Sequence, residues 1–227
     1  MRMHPPVAGG SSGNSRPRPN LRTRRRVLIL QRLEELGCGP SRSEPTMRPM
    51  NAEQREIAAR SAAAIALSAA AVAAAWLWLP PALLGATPDM ATADRLAYAL
   101  KADLPVFLWL GGCLRAVASI RFRSDADRPG AAYGSPSARL AVPAAVLQNS
   151  LEQTVLAVGA HLVLATVLRG EEMILLPVLV ALYLAGRVFF ALGYARGAAA
   201  RAFGMALTGA STIAAFGVAL VLMGLGR

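Results

Sequence analysis

The chain has 227 residues, 55% hydrophobic and only 16% charged, whereas soluble domains average about 25% charged. With a mean hydropathy of +0.42, this composition excludes a routine soluble domain, a wholly disordered chain, a collagen-like fibre and a disulfide scaffold. The formal net charge is +11, Lys101 is the sole lysine among 24 basic residues, and residues 1–60 hold 12 of the arginines. Part of this arginine excess fits a GC-rich coding sequence. A basic tail can bind nucleic acid, bind an anionic membrane surface, or stay on the cytoplasmic side of a membrane. Residues 1–50 contain no aromatic side chain to stack on bases, so a nucleic-acid partner is not expected.

Residues 1–50 are rich in Arg, Pro, Ser and Gly and are expected to be a disordered cytoplasmic tail. An alternative is that translation begins at Met47 or Met50. Thr23 to Ile29 superficially resembles a twin-arginine export signal, but the apolar run ends at Leu30, and a signal needs about 7–15 apolar residues. Five apolar segments follow, at about Ala62–Leu84, Leu104–Ile120, Leu140–Leu168, Met173–Tyr194 and Ala202–Gly224. Each approaches the ~20 residues that cross a bilayer as a helix; the second is short unless Tyr98 to Asp103 extend it. The sequence therefore predicts an all-α, multi-pass integral membrane bundle.

Charge in the connections orients the bundle. Basic residues outside the segments number 12, 2, 4, 1, 2 and 1 from the N-terminus to Arg227. High and low counts alternate, as the positive-inside rule requires. The expectation is a cytoplasmic N-terminus, five crossings and a C-terminus outside, in a membrane such as the bacterial inner membrane.

Polar groups at membrane depth are costly and point to function. On the third segment Asn149, Glu152 and Gln153 share a helix face, next to Gln148. On the fourth, Tyr183, Arg187, Phe190 and Tyr194 form one stripe, and on the fifth Arg201, Met205, Thr208 and Thr212 repeat that spacing. Arg115 lies six residues before Arg121, about 9 Å along a helix. The expected topology puts Arg115, Asn149, Glu152, Arg187, Tyr194 and Arg201 at similar depth on the cytoplasmic side. Surplus positive charge there suits a small anion, with guanidiniums for its carboxylates and Glu152 for an ammonium. The competing reading is that Glu152 and Arg187 pair with each other and hold helices together. His161 reads as a bundle residue, Cys113 as a small hydrophobe, and Gly111, Gly112 and Gly204 as sites of close helix contact. Two cysteines and two histidines, widely spaced, predict no metal site.

Asn149-Ser150-Leu151-Glu152, then Gly186-Arg187 through Tyr194, then Arg201-Ala202-Phe203-Gly204 resemble the MAPEG family, the membrane-associated proteins in eicosanoid and glutathione metabolism. The likeness covers about residues 100–227. It implies a four-helix core over 98–227, with an extra transmembrane helix at 57–85, and a homotrimer that binds glutathione as co-substrate between protomers. Matched residue by residue, Asn149 and Glu152 would bind glutathione, Arg187 and Tyr194 would line the site, Arg115 would contribute to it, and Arg201 would stabilise the thiolate. The chain departs from studied eicosanoid members: Ala145 and Gln148 stand where those carry arginines, and Phe190 where some carry histidine. The implied function is a glutathione-dependent transferase or peroxidase acting on lipophilic electrophiles from the bilayer. The alternative is a non-catalytic lipid-binding or scaffold protein of the same fold. A small transporter is disfavoured because no internal repeat is visible.

Overall fold

A computed structural model describes residues 50–227. The expectations for the basic tail, including Cys38 and His4, therefore lie outside the described residues, Met50 excepted. Helix α1 spans Ala52–Trp78, α2 Thr92–Ala102, α3 Leu104–Phe122, α4 Ala138–Val167, α5 Leu175–Tyr194 and α6 Ala198–Gly224. Short 3-10 turns at Pro81–Leu84 and Gly170–Ile174 complete the described helical structure. With α2 and α3 forming one span, five helical spans among the described residues are long and apolar enough to cross a bilayer, and the chain is an all-α integral membrane protein.

Local chemistry sets the ends. Helix α1 starts ten residues before the apolar run because Asn51 caps it. Asn51 Oδ1 accepts from Gln54 N at 2.8 Å and Gln54 Oε1 accepts from Asn51 N at 2.9 Å, a capping box that satisfies two end donors. The helix stops before Pro80-Pro81, which lack the N–H to continue it. Helices α2 and α3 form a single 31-residue span, Thr92–Phe122. They join at Asp103, with Pro105 at the start of α3, where a missing N–H costs least. The second segment is thus longer than its apolar run. Arg95, a charge that interrupts the sequence pattern, donates to the carbonyls of Ala165 and Thr166 at the end of α4.

Helices α5 and α6 form the tightest pair, turned by Gly197 at φ 106, a left-handed geometry that glycine adopts without strain. Their backbones meet at Gly186 and Gly204. A Cβ on Gly204 would fall on Phe190 N and lie 2.6 Å from Gly186 O. Helix α6 also packs against α1 and α4, and α4 against α2 and α3. Helix α1 meets the bundle through small buried residues, Ala64, Ser68 and Ala75.

Buried polar pairs join the helices. Thr154 and Tyr183 hydroxyls are 2.8 Å apart, and His161 Nδ1 lies 2.6 Å from Asp103 Oδ1. His161 is fully buried as a bundle residue, yet its Nε2 has no partner among the described residues. Interhelix hydrogen bonds in lipid are worth about 0.6 kcal/mol each on average. No one of them holds the bundle, and close packing of α5 on α6 carries more.

The connection between α3 and α4 is braced by Asp127. Its carboxylate accepts from Ser137 N at 2.8 Å, Ser137 Oγ at 2.7 Å and Ser124 Oγ at 2.8 Å. The bonds from Ser137, first its backbone N–H, hold the carboxyl below its ordinary range. Ser137 in turn caps α4 by accepting from Leu140 N.

Two outcomes follow from these contacts. Gly204→Ala should destabilise the protein by about 1–3 kcal/mol through overpacking, read as a lower thermal midpoint in detergent. Gly217→Ala, with open space at its Cβ, should leave the midpoint unchanged or slightly higher. For Asp127, a depressed folded pKa contributes stability above the unfolded value of about 3.9, lost as pH falls through the folded value. Wild type should therefore be more stable than Asp127→Asn at neutral pH, with the gap closing below about pH 4 in a pH series of denaturation midpoints.

Candidate functional site

The site is built outward from Arg187, a fully buried guanidinium on α5. Its Nη1 donates to Asn149 Oδ1 at 2.9 Å and its Nη2 to Ser150 Oγ at 3.1 Å, both on α4. Trp109 Nε1 on α3 also donates to Ser150 Oγ, at 3.2 Å, and Cys113 Sγ lies 3.9 Å away. The Ser150 hydroxyl of α4 thus accepts from side chains of both α3 and α5. The competing expectation of a Glu152–Arg187 pair is not met: Glu152 Oε1 accepts instead from Gln148 Nε2 at 2.9 Å. Arg187 Nε has no hydrogen-bond partner among the described residues. The Phe190 ring lies 4.3 Å under its Cζ, and a ring face partly compensates a buried cation.

This arrangement fixes what Asn149 can offer. Its carbonyl oxygen faces Arg187 and accepts from it. The amide NH2 is left to donate to a ligand. From Phe190 the stack continues along α5 to Tyr194, ring centroids 5.3 Å apart. The Arg201 guanidinium at the start of α6 then sits 4.4 Å over the Tyr194 ring. Two cations thus flank two aromatic rings, one cation sealed and the other half-buried.

A cavity of about 440 Å³ opens beside this stack, lined by Ile57, Asn149, Phe190, Tyr194, Arg201 and Met205, with Ser61 and three alanines completing it. Its size is that of a small-molecule pocket. The structure brings Asn149, Tyr194 and Arg201 together on its wall. Arg187 stands behind Asn149 and does not line the cavity. Glu152 and Arg115 are exposed on the protomer surface, outside the cavity lining. The described residues show no group of three or more His, Cys, Asp or Glu side chains arranged for a metal ion.

Sequence reasoning missed Ser150, Trp109, Ile57 and Ser61. Ser150 was legible, because Ser150, Thr154, Ala157 and His161 recur at helical spacing on the buried face of α4. Ile57 and Ser61 precede the apolar run and sit among charged residues, so no periodic signal marked them.

This bundle is a multi-pass membrane fold with a pocket at the end where α1 begins, α5 ends and α6 begins. The sequence model of the MAPEG family matches residues 104–221, and the chain belongs to that family. The match covers α3 to α6 and leaves α1 and α2 outside it. No curated protein and no solved structure matches the chain.

Arg187→Lys keeps the charge but cannot bridge Asn149 and Ser150 with one planar fork. Losing a hydrogen bond to a charged group should cost about 1.5–3 kcal/mol, read as a lower denaturation midpoint. An unchanged midpoint would remove Arg187 from its central structural place.

Proposed function

We propose that the protein binds glutathione and activates its thiol for transfer to, or reduction of, lipophilic electrophiles that enter from the bilayer. The observation that carries this reading is Arg201, held by the Tyr194 ring on the wall of a pocket that also presents Asn149. Among the described residues no acidic side chain pairs with Arg201. A cation so placed is free to meet an anion.

The magnitudes suffice. A free thiol ionises near pH 8.5. Making thiolate dominant at neutral pH requires a shift of about two units, roughly 2.7 kcal/mol. A unit charge pair about 4 Å apart gains about 4 kcal/mol at an effective dielectric of 20, so one guanidinium is enough. In conjugation the thiolate forms a carbon–sulfur bond and the leaving group departs with its electron pair. With an addition acceptor, the proton lost by the thiol returns to the product. Asn149 and Tyr194 would bind the peptide part, with Arg187 orienting Asn149 from behind.

Glu152 and Arg115 take part in this reading as residues of a protomer boundary. Both are exposed along segments that cross the membrane, where a charge facing lipid is expensive. A second copy of the chain would cover them, and a homotrimer with glutathione at the boundary would let Glu152 meet the ligand ammonium and Arg115 a carboxylate. The charge alternation supports a cytoplasmic N-terminus and, with it, a pocket near the cytoplasmic side.

The test is ultraviolet difference absorbance of detergent-purified protein titrated with glutathione at pH 7. A saturable thiolate band is expected. Arg201→Ala should abolish the band and lower turnover at least a hundredfold, as for other lost anion-stabilising donors, with oligomeric state unchanged. No band from folded wild-type protein would overturn the reading and favour the non-catalytic lipid-binding scaffold, to which the absence of arginine at Ala145 and Gln148 also points.

A further inference from the structure

The pocket has two chemically different ends. Asn149, Tyr194 and Arg201 make one polar. Ile57, Ala202, Met205 and Ala206 make the other apolar, with Ser61 of α1 beside them. The apolar end is a helix–helix crevice: α6 supplies Ala202, Met205 and Ala206, and α1 supplies Ile57 and Ser61, both half-buried. Helix α1 lies outside the residues that match the family, so this wall belongs to this chain's own extension.

The wall is fixed. Ile57, Ser61, Ala64, Ser68 and Ala75 recur at helical spacing along α1. Ala64, Ser68 and Ala75 are buried, and Ala64 clusters with Leu207 of α6 and Leu182 of α5. Asn51 and Gln54 lock the first turn just before Ile57. The crevice thus cannot widen without peeling α1 from α6 over several turns.

We infer that α1 forms the specificity wall for the second substrate, with Ile57 and Ser61 setting the size of the apolar electrophile that reaches the thiol end. This rests on the proposed thiol chemistry for its substrate class, although the crevice stands apart from it. The class is a compact, uncharged molecule with an apolar body and one reactive carbon, such as an aryl halide or a short alkyl isothiocyanate. The body lies between Ile57 and Met205, and the reactive carbon points to Arg201. A long unbent chain would collide with α1.

The test uses the full chain in lipid nanodiscs and three variants: Ile57→Trp and Ser61→Leu fill the crevice, and Ile57→Ala opens it. The readouts are kcat/KM with glutathione for 1-chloro-2,4-dinitrobenzene and for alkyl isothiocyanates of increasing length, and the thiolate band. The filling variants should lower kcat/KM for the longer isothiocyanates at least tenfold with the glutathione titration curve unchanged. Ile57→Ala should shift the preference to longer chains. An unchanged length profile in all three, with the band intact, would overturn the assignment.

A second readout needs no turnover. An alkyl diazirine should photolabel residues 57–61 and 202–206 saturably, and Ile57→Trp should abolish that saturable labelling. Labelling spread without saturation over lipid-facing helices would overturn the inference whatever the glutathione titration gives. Saturable labelling without a thiolate band would uphold the crevice and reject the thiol chemistry.

Discussion

The architecture depends on a guanidinium buried without a carboxylate. Arg187 is sealed from solvent and lipid, and its two terminal nitrogens reach Asn149 and Ser150 on the neighbouring helix. A charge in that position is tolerable only if its donors are engaged and its flat face is covered. Ser150, Asn149 and the Phe190 ring meet those needs. Trp109 extends the same knot to a third helix. In lipid, where apolar burial does not drive helices together, such satisfied polar contacts specify register while small residues set distance. The Gly186–Gly204 approach brings α6 close enough to α5 for Arg201 to lie over Tyr194.

That constraint divides the polar residues into three groups. Arg187 is enclosed and orients Asn149. Asn149, Tyr194 and Arg201 line the pocket. Glu152 and Arg115 stand on the protomer surface. Similar depth in the membrane therefore did not mean a single shared cavity within one protomer. The division fits a site completed at a protomer boundary, as the proposed trimer would provide. It also gives α1 a place beyond anchoring, because its first turns close the pocket's apolar side.

Much of the fold was legible because crossing a bilayer demands length and apolarity, and five stretches met both. The edges were not, since they depend on capping and on charged residues with local partners. Asn51 extends α1 through Glu53, Arg55, Glu56 and Arg60, which carry no apolar signal. Arg95 hides in α2 by capping α4. At the site, the residue types were legible from their cost in lipid, and the pairing was not. Glu152 and Arg187 are a natural ion pair on charge alone, yet Gln148, one turn before Glu152, takes the carboxylate, and Arg187 donates to Asn149 and Ser150 instead. Ile57 and Ser61 were invisible for a simpler reason: their contact with α6 is long-range, and no local pattern encodes it.

The most direct measurement is a cryo-electron-microscopy map of the protein in nanodiscs with bound glutathione. The account predicts ligand density in the pocket of each protomer, with the sulfur within about 4 Å of the Arg201 guanidinium. It also predicts Asn149 in contact with the peptide part and α1 flanking the apolar side. Glutathione density away from Arg201, or a pocket filled only by lipid at saturating glutathione, would contradict it.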